Sequence, residues 1–313
     1  MTGAQRIAFA GTPAFSVPAL ARLTEMGMDV PIVFTQPDRR AGRGRRIGES
    51  PVKQYARAAG LRVEQPEKLA AVSQAEHWAA APDLLLVVAY GLLLPRWMLD
   101  WPRAGCVNIH ASLLPRWRGA APIQHALLAG DRDTGVTIMR MTRALDSGPV
   151  FATRATPIAE HETAGELSER LAHLGADLLA DVLPGILDGT LHAEPQSSEG
   201  VTYAAKIAKT DAALAWHASA LELERRVRAF NPWPVADARF DDGTRLRIWE
   251  ARALPDPASG APGTIAAAGR DGIDVNTGHA VLRLTRVQAP SKKPMEAAAY
   301  LASHSLKERH FVG

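Results

Sequence analysis

Cys106-Val107-Asn108-Ile109-His110-Ala111-Ser112-Leu113-Leu114-Pro115 is the stretch from which the fold can be worked out. Val107 and Ile109 are β-branched and alternate with Asn108 and His110. A strand over Val107 to His110 therefore sends the two aliphatic side chains to one face and the amide and imidazole to the other. Cys106 falls on the face of Asn108, further from the strand end, and Ser112 to Pro115 would form the loop that leaves that end. Short apolar runs of the same kind stand on both sides, at Arg6 to Ala10, Val30 to Thr35, Leu84 to Tyr90 and Val136 to Met141, with helical patterns between them. Strands separated by helices imply a parallel, doubly wound sheet of the α/β class. Such sheets place their binding crevice beyond the carboxyl ends of the strands, so Asn108 and His110 are expected at the crevice.

A helix rich in Leu and Ala, from Ala164 to Leu187, closes this region, and the polar, Gly-, Pro- and Ser-containing run Asp188 to Gly200 is the candidate linker. Beyond it come one helix, about Ala218 to Phe230, and strand-like runs at Asp237 to Phe240, Arg245 to Ala251, Gly272 to Asn276 and Ala280 to Val287. Asp-Asp-Gly and Asn-Thr-Gly turns break them, which predicts a small antiparallel β-barrel. The expected organisation is a Rossmann-like, mostly parallel domain over residues 1–188, a linker over 189–205 and a barrel of the oligonucleotide-binding (OB-like) kind over 206–313.

Composition excludes several classes. At 313 residues and 47% hydrophobic the chain can build two cores. The longest apolar stretch, Leu84 to Pro95, is far below the roughly 20 residues that span a bilayer, and the first residues carry no small-residue cleavage site, so a cytoplasmic protein is expected. The single cysteine, Cys106, can make no internal disulfide and no thiolate metal site, so no metal is expected. The net charge of +3 permits an anionic partner. Gly11-Thr12-Pro13-Ala14-Phe15 after the first strand lacks the spaced glycines of a dinucleotide site, and no Gly-Lys-Ser/Thr P-loop occurs, which disfavours a nicotinamide oxidoreductase or an NTPase. Gly11 reads as a tight strand-to-helix turn.

Continuing from Pro115, Arg116-Trp117-Arg118-Gly119-Ala120-Ala121-Pro122-Ile123-Gln124 leads into a helix, and Leu145-Asp146-Ser147-Gly148 follows a later strand. The whole run from Asn108 to Gln124, with Leu-Asp-Ser-Gly after it, closely resembles the folate-dependent formyltransferases, in particular those that act on methionyl-tRNA. The likeness extends to Thr35-Gln36-Pro37-Asp38-Arg39, to Val87-Val88-Ala89-Tyr90-Gly91 and to Arg228-Ala229-Phe230-Asn231-Pro232-Trp233-Pro234, nearly the whole chain. The resemblance implies that Asn108, His110 and Asp146 are catalytic and that Ser112, Leu113, Leu114 and Pro115 contact folate. It also implies an enzyme that moves the formyl group of 10-formyltetrahydrofolate onto the α-amino group of methionyl initiator tRNA, and a monomer is expected.

The residue chemistry agrees. Transfer from an N-formyl donor to an amine passes through a tetrahedral intermediate whose oxygen gathers negative charge, and Asn108 and His110 are donors suited to it. The attacking amine loses a proton and the departing nitrogen gains one, and imidazole titrates near the operating pH. Asp146 would orient His110, take its proton or hold a relay water. A rival is a formyl-thioester on Cys106.

Pro37-Asp38-Arg39-Arg40-Ala41-Gly42-Arg43-Gly44-Arg45-Arg46 packs five arginines where no helix or strand pattern is visible. Such a cationic loop suits phosphate contact, and in the resembling enzymes it meets the tRNA acceptor end. Arg39, Arg40, Arg43, Arg45 and Arg46 are thus candidate tRNA contacts, with Lys206 and Lys209 continuing the track. Arg40 departs from the proline expected there. The triad alone identifies the reaction and not the acceptor: a sugar nucleotide or glycinamide ribonucleotide remains an alternative, as does a non-catalytic tRNA-binding protein.

Overall fold

The structure is a computed structural model, and it describes residues 5–41, 46–69 and 80–313. The chain divides into two compact units, one of Met1–Pro122, Asp133–Pro157 and Ser168–Ala204, the other of Ile123–Arg132, Ile158–Leu167 and Ala205–Gly313.

The strands of the first unit are β1 (Ile7–Gly11), β2 (Val33–Phe34), β3 (Arg39–Ala41), β4 (Arg46–Gly48), β5 (Val63–Glu64), β6 (Leu84–Val88), β7 (Cys106–His110), β8 (Arg118–Gly119), β9 (Asp133–Arg140), β10 (Val150–Pro157) and β11 (Tyr203–Ala204). Seven of them form one sheet in the order β10-β9-β7-β6-β1-β2-β5. The central strands β1, β6 and β7 are buried along their whole length, as strands covered on both faces must be, which is why β1 and β6 read as continuous apolar runs, while β7 also buries the polar Asn108 and His110. Gly11 ends β1 where a Cβ would stand 2.9 Å from the Val88 carbonyl oxygen, so the tight exit expected there is enforced by close approach to β6.

The parallel order expected from the sequence holds for β5, β2, β1, β6 and β7. It fails for the run at Val136 to Met141. That strand is β9, antiparallel to β7, and β10 pairs antiparallel beside it. Sequence pattern does not reveal β10 because, after Val150 and the buried Phe151, its side chains are alternately half-buried and exposed, as on an edge strand, with little apolar bulk to mark it. A second difference concerns the arginine run, expected to lack strands. β3 and β4 pair as an antiparallel hairpin, with Arg39 opposite Gly48 and Ala41 opposite Arg46.

The second unit holds β12 (Asp237–Phe240), β13 (Arg245–Leu254), β14 (Ile265–Gly269), β15 (Gly272–Asn276), β16 (Val281–Gln288), β17 (Met295–Glu296) and β18 (Phe311–Val312). They run in the order β14-β15-β16-β13-β12-β18, with β17 on β16. The bridge Thr264–His310 and the hydrogen bond from Phe311 N to Gly263 O (2.8 Å) join the two ends of that order, closing the barrel. Phe311 stacks between Trp216 (5.0 Å) and Phe240 (4.2 Å) in its core. The helix Ala220–Ala229 in this unit begins at a capping box, Ser219 with Glu222. Among the described residues no helix is long and apolar enough to cross a membrane.

Candidate active site

On β7, Asn108 lies in register with Val87 and Met139, and His110 with Thr137. Val107 and Ile109 are packed into the core, while Asn108 and His110 retain 8% and 6% exposure. Among the described residues nothing hydrogen-bonds the Asn108 side chain. A nearly buried amide with its donors and acceptor unspent sacrifices about 1–3 kcal/mol of solvation, which native proteins accept where a ligand supplies the partner.

His110 is held from both sides. Its Nε2 lies 2.9 Å from the Trp117 carbonyl oxygen, which can only accept, so that contact assigns the proton to Nε2. Nδ1 then faces Asp146 Oδ2 at 3.8 Å, an ion-pair separation rather than a hydrogen bond. Nδ1 is thus the nitrogen at which a proton can be gained or released beside a carboxylate. Both partners sit on left-handed backbone, Trp117 at φ +61° and Asp146 at φ +44°. Such non-glycine conformations cost about 1–3 kcal/mol each and persist only where the surroundings hold them.

The hold is visible. Asp146, on the turn from β9 to β10, accepts the Gly119 N–H at Oδ2 (2.8 Å). Trp117 N–H donates to Thr202 Oγ1 (2.9 Å) and Arg118 N–H to the Thr202 carbonyl (2.9 Å), and β8 pairs in parallel with β11. Residues 189–204, read from composition as linker, therefore carry hydrogen bonds within the first unit, beside the site.

Ser112 is 1% exposed and spends its hydroxyl on the Arg116 carbonyl (2.6 Å). Its own carbonyl accepts from Thr137 Oγ1 (2.6 Å), which accepts from Leu114 N–H (3.2 Å). Leu113 packs towards Gly135, where a Cβ would lie 2.6 Å from Leu113 Cδ2. Leu114 and Pro115 line a groove of about 460 Å³ together with Val150, Phe151, Leu191 and Gln196. In the Ser112–Pro115 segment, then, the first two residues shape the loop and the last two face open space.

Cys106 shares the Asn108 face but is 1% exposed and gives its thiol to the Met98 carbonyl (3.3 Å). Burial, with a smaller contribution from Asp100, pushes the thiol up to about 12, so no thiolate forms at neutral pH. Cys106→Ala should therefore keep turnover within about twofold of the parent, since a buried thiol that cannot ionise contributes only packing. A formyl-thioester trapped on Cys106 would overturn that expectation.

Arg39 is exposed on the β3–β4 hairpin. Just before it, the Asp38 carboxylate accepts from Lys53 Nζ (2.6 Å) and Gln65 Nε2 (2.8 Å), and the Lys53 bond holds that carboxyl below its usual range. Arg43 and Arg45 lie outside the described residues, as do the side chains of Arg40 and Arg46. Lys206 and Lys209 are exposed in the second unit. Among the described residues no group of three or more His, Cys, Asp or Glu side chains is arranged to hold a metal.

At the carboxyl end of β7 the structure gathers a free amide, a tethered imidazole and a carboxylate, groups whose chemistry suits a transferase that stabilises an oxyanion and shuttles a proton. The chain belongs to the formyltransferase family: residues 5–183 match the model described as "Formyl transferase" and residues 206–305 match "Formyl transferase, C-terminal domain". It is 53% identical over 303 residues to the methionyl-tRNA formyltransferase of Methylococcus capsulatus, covering 96% of this chain and 97% of that one. To the methionyl-tRNA formyltransferase of Halorhodospira halophila it is 52% identical over 303 residues, covering 97% of each. The crystal structure of WlaRD, a sugar 3N-formyl transferase, in the presence of dTDP and 5-N-formyl-THF aligns with a TM-score of 0.67 at 14% identity, over 90% of this chain and 97% of that one, which shows the shared fold.

Proposed function

We propose that this chain transfers the formyl group of 10-formyltetrahydrofolate to the α-amino group of methionyl initiator tRNA, with Asn108, His110 and Asp146 performing the chemistry. The observation that carries the mechanism is the unspent Asn108 amide beside an imidazole held between Trp117 and Asp146. The acceptor rests on identity of about half over almost the whole of two relatives that act on methionyl-tRNA.

In this reading the amine nitrogen attacks the formyl carbon, a C–N bond forms and the carbonyl oxygen becomes an oxyanion, to which the Asn108 amide donates. The amine proton passes to His110 Nδ1, where the Asp146 carboxylate stabilises the imidazolium. As the oxyanion collapses, the bond to the folate nitrogen breaks, and His110 returns a proton to that leaving nitrogen. Leu114 and Pro115 fit the donor on chemical grounds, since their groove, walled by the apolar Val150 and Phe151 and by the polar His192, Glu194 and Gln196, has a volume within the roughly 300–1,000 Å³ of small-molecule sites. Ser112 and Leu113 support them. Residues 1–188, with 189–204 hydrogen-bonded to them, form the catalytic domain and 206–313 a tRNA-binding barrel. The enzyme works as a cytoplasmic monomer.

Purified protein given 10-formyltetrahydrofolate should formylate methionyl initiator tRNA and leave free methionine untouched. Product with free methionine or an aminosugar nucleotide, and none with the tRNA, would return the acceptor to the small amines. Arg39, Arg40, Arg43, Arg45 and Arg46 meet tRNA phosphates in this reading, with Lys206 and Lys209. Replacing Arg43, Arg45 and Arg46 together by alanine should weaken tRNA use, spare folate binding and flatten the salt dependence of tRNA affinity. Its log–log slope should fall by roughly two to three, at about 0.7–0.9 for each phosphate no longer neutralised. An unchanged slope and affinity would make the arginine run an ordinary solvated surface.

A further inference from the structure

We infer that Gln196 is the positioning residue for Asp146, an inference that rests on the formyl-transfer reading above. Gln196 Nε2 donates to the carbonyl oxygens of Asp146 and Gly148, both at 2.8 Å. Its Oε1 accepts from Arg118 Nε (3.1 Å) and Nη2 (2.7 Å). Two carbonyls on one side and a guanidinium on the other leave only one assignment of the amide, so both donors and the acceptor are spent.

The hydrogen bonds close a ring. Arg118 is followed by Gly119, whose N–H donates to Asp146 Oδ2; the Asp146 carbonyl accepts from Gln196; and Gln196 accepts from Arg118. The ring grips Asp146 at its carboxylate and at its backbone, on a residue whose φ of +44° the free chain would leave. Without the two Nε2 donors the turn loses both carbonyl anchors, and Asp146 Oδ2 shifts relative to His110 Nδ1. Displacements of about an ångström around reacting groups cost on the order of a hundredfold in rate.

Two substitutions separate positioning from simple bracing. Gln196→Glu keeps the acceptor for Arg118 but turns oxygen towards two carbonyls, whereas Gln196→Met removes every polar interaction at similar volume. Positioning requires that both variants, folded by circular dichroism and by thermal unfolding, lose kcat on the order of tenfold to a hundredfold with KM for both substrates nearly unchanged. If Gln196 only braces its segment against Arg118, Gln196→Glu will turn over like the parent, and the inference fails. It fails equally if KM rises while kcat holds, because Gln196 would then be touching a ligand in the groove. A parent enzyme that leaves methionyl-tRNA unformylated would instead overturn the underlying reading and take the inference with it, so the unsubstituted control tells the two failures apart.

Discussion

Alanine at His110 is expected to lower formyl-transfer turnover by on the order of a hundredfold or more, because a positioned proton shuttle supplies about 10²–10⁴ in rate. His110 is placed between an acceptor that fixes its tautomer, Trp117 O at 2.9 Å, and the Asp146 carboxylate, whose Oδ2 lies 3.8 Å from Nδ1. Removing it also leaves the Trp117 carbonyl without that bond, so a stability loss near 1 kcal/mol should accompany the loss of rate. Asn108→Ala should behave differently. Its amide makes no hydrogen bond to the described protein, so nothing is broken in the folded state, and unfolding free energy should hold or rise slightly. Turnover should still fall on the order of 10²–10³, the cost of losing one oxyanion donor. Single-turnover formylation alongside urea denaturation reads both quantities. Turnover near that of the parent in either variant removes that residue from the mechanism.

The second large effect is expected at Gly119. It holds φ +119°, and a Cβ there would stand 2.5 Å from the Ala204 carbonyl oxygen, closer than side-chain carbons approach any backbone oxygen. The obstacle is main chain, so no rotamer relieves it. That carbonyl already accepts the Ala120 N–H at 2.9 Å in the β8–β11 pairing. Gly119→Ala must push β8 from β11 and swing the Gly119 N–H away from Asp146 Oδ2. We expect a loss of about 2–4 kcal/mol of stability, from the conformation and the overpacking together. Among molecules that remain folded, turnover should fall at least about tenfold, since the same shift displaces Asp146. A denaturation midpoint and kcat that both match the parent would show that β8 yields without consequence.

The sequence by itself determined the features that repeat at a backbone period. Val107 and Ile109 go inward and Asn108 and His110 share a face because strand side chains alternate, whatever the rest of the chain does. The runs at Asp237–Phe240 and Gly272–Asn276 were legible to the residue for the same reason. The resemblance of the motifs from Asn108 to Gly148 added the three site residues and the chemistry expected of them, which periodicity alone does not name. Tertiary structure decided what no period encodes. β9 carries the same apolar run whether it lies parallel or antiparallel to β7, since only the route of the intervening chain sets its direction. Composition marked residues 189–205 as linker because Gly, Pro, Ser and charge suit an exposed connection, yet Gln196 reaches a carbonyl 50 residues away and Thr202 accepts from Trp117 across 85. Hydrogen bonds of that separation join groups whose neighbours in sequence say nothing of each other. The tautomer of His110, the hold on Asp146 and the need for glycine at 119 all depend on such bonds, because backbone sterics act between adjacent residues while a site is assembled only when distant segments meet.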